Sequence, residues 1–184
     1  MPRKTYIAAI QEALKEEMQR DDSVMLIGED VRLGVFAGTR NLHAEFGDER
    51  VIDTPISELA VAGAGVGAAA TGLRPVVDLM FGTFLYLAFD QIANQAGAMR
   101  YMFGGQATLP VVFMTQNGAG SSAGHHHSQS VHHMFMNIPL VKVVFPSTPY
   151  DVKGLLKSAI RDNNPVVFLN SLSLGGKRGD VPEG

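Results

Sequence analysis

The residues best suited to chemistry begin with a carboxylate, Glu58, at the end of the run Asp53-Thr54-Pro55-Ile56-Ser57-Glu58. The run joins a short apolar stretch to a helix of small residues, and in a parallel α/β sheet ligands gather at the carboxyl ends of strands. A carboxylate in a first helical turn also gains from the helix dipole, so spacing alone leaves Glu58 open between helix stabilisation and catalysis. A second concentration is five histidines in nine residues: His125, His126, His127, His132 and His133. Imidazole can move a proton near neutral pH or bind a metal. The metal reading is weakened by the absence of acidic or cysteine ligands beside them.

Periodicity supplies the elements that must hold these groups. Ile7, Ile10, Ala13, Leu14 and Met18 recur at helical spacing. Residues 24–27 read as a buried strand ending at Gly28, residues 41–46 as a short helix and residues 50–52 as another strand. Thr54-Pro55 breaks the chain, and Ser57 is the expected N-cap of a helix through Thr71, stopped by Gly72. Residues 75–80 are strand-like, and 83–101 carry a helical pattern closed by Gly104-Gly105. Apolar runs at 110–115 and 141–145 are strands. Thr148 as N-cap, Pro149 at the first helical position and Asp151 at the third open a helix to about Arg161. Residues 165–169 supply the last strand. Uniformly apolar strands alternating with helices predict a three-layer α/β fold around a mostly parallel sheet of about six strands. The tail from Gly175 reads as a linker or a disordered end.

Ala60, Ala62, Gly63, Ala64, Gly65, Gly67, Ala68 and Ala69 leave the helix after Glu58 with almost no side-chain bulk. Interior glycine costs a helix about 1 kcal/mol, so close approach by a partner helix or subunit is expected there.

Composition narrows the function classes. The chain has 184 residues, 46% hydrophobic and 18% charged, which suits one globular domain. A net charge of −3 gives no electrostatic reason to expect nucleic acid. The most apolar stretch, 59–73, falls short of the ~20 residues that span a bilayer. Zero cysteines exclude a disulfide scaffold. With residues 1–4 running directly into a helical pattern, no secretory signal and a cytoplasmic location are expected.

Gly28-Glu29-Asp30-Val31, the stretch from Arg50 to Glu58, Gly72-Leu73-Arg74-Pro75, Phe84 with Asp90-Gln91-Ile92-Ala93-Asn94, Arg100 to Gly105, His127-Ser128-Gln129 and Pro146 to Leu156 form an ordered series. It resembles the E1 β subunit of pyruvate, branched-chain 2-oxo acid and acetoin dehydrogenases, in its transketolase-like pyrimidine-binding domain. The resemblance implies a pyrimidine-binding domain over 1–174 and a linker over 175–184 toward a C-terminal domain. It implies that Glu58 hydrogen-bonds N1′ of the aminopyrimidine of thiamine diphosphate, favouring the imino form whose nitrogen takes the proton from thiazolium C2. A buried carboxyl with a raised pKa would suit that role.

The resemblance further implies that Phe84 lies against the pyrimidine, although ordinary core packing beside Phe81 and Phe89 is the alternative. Ile56 would add an apolar wall, and His127 would face the substrate or the lipoyl group. The turn Ala159 to Pro165 resembles a potassium loop, implying Val111, Ala159, Asp162 and Asn164 as ligands; an ordinary polar turn is the alternative. No GDG motif is present, so Mg²⁺ and the diphosphate would be held by an α subunit in a heterotetramer. A second β copy would pack across the Gly/Ala-rich helix, and a lipoyl domain of an E2 component would accept the acyl group. The chain departs from the resemblance at His132, Met134 and Asn170, where an acidic residue, a large aromatic and a glutamate are usual. The rivals are acetoin cleavage with the same cofactor and a non-catalytic assembly module of the same fold.

Overall fold

The computed structural model describes every residue from Met1 to Gly184. Strand β1 (Arg3–Thr5) leads into α1 (Tyr6–Arg20), capped by Thr5 Oγ1, which accepts from Ala8 N–H at 3.2 Å. There follow β2 (Val24–Gly28), α2 (Leu42–Phe46), β3 (Val51–Asp53), α3 (Glu58–Ala70) and β4 (Arg74–Phe81). Beyond them lie α4 (Ala98–Met102), β5 (Val112–Asn117), α5 (His132–Phe135), β6 (Lys142–Val144), α6 (Pro149–Arg161), β7 (Val166–Ser171) and β8 (Arg178–Asp180). Six strands form one parallel sheet in the order β3-β2-β4-β5-β7-β6, as the apolar runs predict.

Alternation along the strands builds a core on each face. Val24, Leu26, Val76, Val112, Met114, Val166 and Phe168 meet α1 and α6 on one side. Met25, Ile27, Val77, Leu79, Phe113, Val167 and Leu169 meet α3 and the segment before α4 on the other. Covering both faces is what a parallel sheet requires. Gly65 in α3 packs so near the sheet that a Cβ would lie 2.3 Å from Val77 Cγ2, and a Cβ on Gly63 would lie 3.2 Å from Gln91 Oε1. Part of the small-residue pattern is therefore spent inside the chain, while Ala60, Ala64 and Gly67 stay exposed.

Three expectations need correction. The pattern over 83–101 is not one α-helix: it divides into a 3₁₀ turn (Gly82–Tyr86), a π-helix (Gln91–Gly97) and α4. Gly97 lets Ile138 and Val141 come close at the end of the π-helical stretch. Ser57 does not cap α3 with its side chain; its hydroxyl donates to the Pro55 carbonyl at 3.0 Å. The tail is neither disordered nor free of the domain, since β8 pairs antiparallel with β1 and Val181 is fully buried. Lys153 Nζ also donates to the Pro182 carbonyl at 2.7 Å.

Candidate functional site

The chain runs from β2 outward to β3, then crosses back over β2 to reach β4. Successive connections diverge there, and such a reversal opens a crevice at the carboxyl ends of the strands. A narrow cleft lies at that point, lined by Glu29 after β2, by Thr54, Pro55, Ser57, Glu58 and Val61 after β3, and by Asp78, Leu79, Met80 and Phe84 of β4 and the turn beyond.

Backbone contacts bring these loops together. Gly28 pairs with Asp78 so tightly that a Cβ would sit 2.3 Å from the Asp78 carbonyl oxygen. Thr54 N–H donates to the Gly28 carbonyl at 3.0 Å, and Arg32 N–H donates to Asp53 Oδ1 at 2.9 Å. Glu58 is the first residue of α3, where the helix N-terminus favours negative charge. It is half-buried rather than buried as the proton-sharing role suggested, because it stands at the mouth of the cleft.

Burial, reinforced by the charges of Asp30 and Glu58, holds the Glu29 carboxyl above its ordinary range. Asp78 lies deeper. Burial pushes its carboxyl up to about 6, opposed only by the hydrogen bond from Met80 N–H. Neither Asp78 nor Glu29 stood out as a site residue in the sequence. A single charge inside the run Val76-Val77-Asp78-Leu79-Met80 was the signal that could have found the first.

His127 lies beside Phe84, with ring centroids 5.5 Å apart, and edge-on to Phe81 at 4.3 Å. Thr83 Oγ1 donates to the His126 carbonyl, tying the histidine turn to the 3₁₀ turn that carries Phe84. Glu58, Phe84 and His127 are thus gathered at one end of the sheet. Ile56 does not join them: it is 72% exposed in the bend before α3 and does not line the cleft. No three His, Asp or Glu side chains anywhere converge as a metal site, the histidine run included.

The loop expected to hold potassium carries its own contacts. The Val111 carbonyl accepts from Val166 N–H at 2.9 Å, and that of Ala159 from Asp162 N–H at 3.2 Å. Asp162 Oδ1 accepts from both nitrogens of Asn164, while Oδ2 pairs with the Lys142 ammonium. The Asp162 carboxylate is thus paired with a lysine and with Asn164, and each of the two carbonyls keeps a lone pair beyond its backbone hydrogen bond.

The donors and walls of this cleft suit an aromatic heterocycle. Thr54 Oγ1 is buried there without a hydrogen-bond partner, Phe84 offers an aromatic wall and Glu58 a carboxyl.

Comparison with known proteins identifies the family. Residues 3–176 match the family described as "Transketolase, pyrimidine binding domain". The β subunit of acetoin:2,6-dichlorophenolindophenol oxidoreductase from Cupriavidus necator is 50% identical over all of this chain and 58% of its own length. The pyruvate dehydrogenase E1 component subunit β of Gracilaria tenuistipitata var. liui is 49% identical, over 95% of this chain and 54% of its own. The chain therefore spans little more than half the length of these relatives. Among solved structures, a split-gene transketolase described as an inactive β4 tetramer superposes with a TM-score of 0.71 at 22% identity, covering 97% of this chain and 53% of that one. That likeness concerns the fold.

Proposed function

The chain belongs to the transketolase pyrimidine-binding domain family, and on that premise we propose that it is the pyrimidine-binding half of a thiamine diphosphate-dependent 2-oxo acid dehydrogenase E1. The observation that carries the reading is the joining of Glu58 and Phe84 in one cleft at the strand-order reversal, with His127 beside Phe84. When bound, thiamine diphosphate supplies the nucleophilic carbon and electron sink that decarboxylation of a 2-oxo acid needs. Glu58 would share a proton with N1′ of the aminopyrimidine, Phe84 would offer the ring an aromatic wall, and the Thr54 hydroxyl, without a partner in the chain, would bond a ring substituent. His127 orients the substrate carboxylate or delivers a proton during acyl transfer.

The chain has no GDG motif to hold a diphosphate, which supports an α subunit holding the diphosphate and Mg²⁺. Large exposed apolar side chains support assembly as well. Tyr101 is 80% exposed, Met102 74% and Phe103 63%, more than an unpartnered surface usually shows together. The exposed stripe Ala60, Ala64, Gly67 suits a second β copy, and a lipoyl domain is the acyl acceptor in this reading. No helix is long and apolar enough to cross a membrane, and a cytoplasmic location is part of the proposal. Acetoin cleavage is the second reading, since an acetoin oxidoreductase β subunit and pyruvate dehydrogenase E1 β subunits match at equal identity, about 50%.

The test is co-expression with an α subunit of the same class, addition of thiamine diphosphate and Mg²⁺, and dye reduction with pyruvate, branched 2-oxo acids and acetoin. One of these substrates should be turned over, and Glu58→Gln should lower the rate by about 10²–10⁴-fold. A stable complex silent with every substrate would favour the assembly module. Undiminished activity in Glu58→Gln would overturn the role of that residue.

A further inference from the structure

Strand β4 carries a bulge directly under the site. Asp78 to Phe81 runs alongside Met114 to Gln116 of β5, one residue too many for regular pairing. The surplus appears at Met80, whose φ of 59° is a left-handed conformation that methionine rarely adopts. Two hydrogen bonds hold it: Met80 N–H donates to Asp78 Oδ1 at 3.0 Å, and Thr115 Oγ1 donates to the Met80 carbonyl at 3.0 Å.

The bulge reaches both parts of the site. Met80 lines the cleft with Glu58 and Phe84. The next residue, Phe81, packs edge-on against His127 at 4.3 Å and against Phe84 at 5.6 Å. A one-residue shift along a strand exchanges its two faces, so without the bulge Phe81 would turn away from His127. Behind Asp78 lie Thr39, Gln116 and Asn170, buried polar side chains that give its carboxyl uncharged neighbours.

We propose that Asp78 is a positioning residue: by locking the Met80 bulge it sets the floor of the Glu58 cleft and the aromatic seat of His127 together. The assignment of the cleft to an aminopyrimidine rests on the reading above; the locking of the bulge does not.

Asp78→Ala and Asp78→Asn separate the two. Asparagine keeps an Oδ1 acceptor for Met80 N–H, whereas alanine removes it. In Asp78→Ala the Met80 amide should exchange about tenfold faster, and the assembled complex should bind thiamine diphosphate about tenfold more weakly. Asp78→Asn should rescue both to within about threefold of wild type. The His127 ring resonances should shift in the alanine variant alone, as Phe81 leaves. Unchanged exchange and affinity in Asp78→Ala, or an Asp78→Asn as damaged as alanine, would overturn the proposal. Should Asp78→Ala not fold, Asp78→Asn still decides, because retained protection and affinity are required of it. If the wild-type complex binds no thiamine diphosphate, the proposed function fails, and amide exchange with the His127 resonances still judges Asp78.

Discussion

Replacing Asp78 by asparagine should stabilise the protein at neutral pH and leave it nearly unchanged in acid. Burial raises the Asp78 carboxyl from 3.8 to about 6 in the folded chain. Between those values the folded state keeps a proton that the unfolded state has released. The protein therefore loses stability as pH rises through this window, and the loss is complete above about 6. The gap corresponds to about 3 kcal/mol at 1.36 kcal/mol per pKa unit, an upper bound because Asp78 retains some accessible surface. Asparagine cannot ionise and still accepts from Met80 N–H, so the expected gain at pH 8 is about 1–3 kcal/mol. Thermal unfolding would register it as about 2–4 °C per kcal/mol for a chain of this size. Urea unfolding of both proteins from pH 4 to pH 8 is the direct assay, since other carboxylates contribute equally to each and cancel in the difference. A difference that stays flat across the range, or grows toward acid, would refute the reasoning.

Two further substitutions probe the frame behind the site. Glu17, fully buried on α1, accepts from Arg161 at 2.5 and 2.9 Å and from Arg20 at 2.8 Å. Burial pushes its carboxyl up, but the hydrogen bonds and charges of Arg161 and Arg20 prevail and hold it below its ordinary range. Glu17→Gln should cost about 1–3 kcal/mol at pH 7, measured by urea unfolding, and the deficit should fade as pH falls through the lowered folded value. The glycines of α3 should respond oppositely. Gly65→Ala, with its Cβ driven onto Val77, should cost about 1–3 kcal/mol, while Gly67→Ala in open space should gain up to about 1 kcal/mol in the thermal stability of the isolated chain.

The parallel sheet was legible because each of its strands is a short apolar run bounded by Gly, Pro or polar residues. Such a run has one good solution in a layered fold. Features that depend on distant partners were not legible. The β8 strand exists because β1, at the other end of the chain, offers it an edge, and Val181 fills a space between α1 and α6. Nothing within residues 175–184 announces either. The 83–101 segment has the helical period, yet it winds as a 3₁₀ turn, a π-helix and α4, with Ile138 and Val141 packed close at Gly97. Periodicity records which face is apolar and is blind to such local rewinding.

The site divides along the same line. Glu58, Phe84 and His127 could be named in advance because an ordered series of blocks carries them, and the fold brings them to one end of the sheet. Asp78 and Met80 could not, because their part depends on register. An Asp two residues before a Met means nothing until β5 proves one residue shorter than the stretch of β4 it pairs with. The lone charge in an apolar strand was nevertheless a usable clue. A carboxyl in that position lowers stability at neutral pH, by the argument given for Asp78→Asn, and a residue that costs stability while holding a left-handed methionine beneath a cleft is where strain and function are expected to coincide.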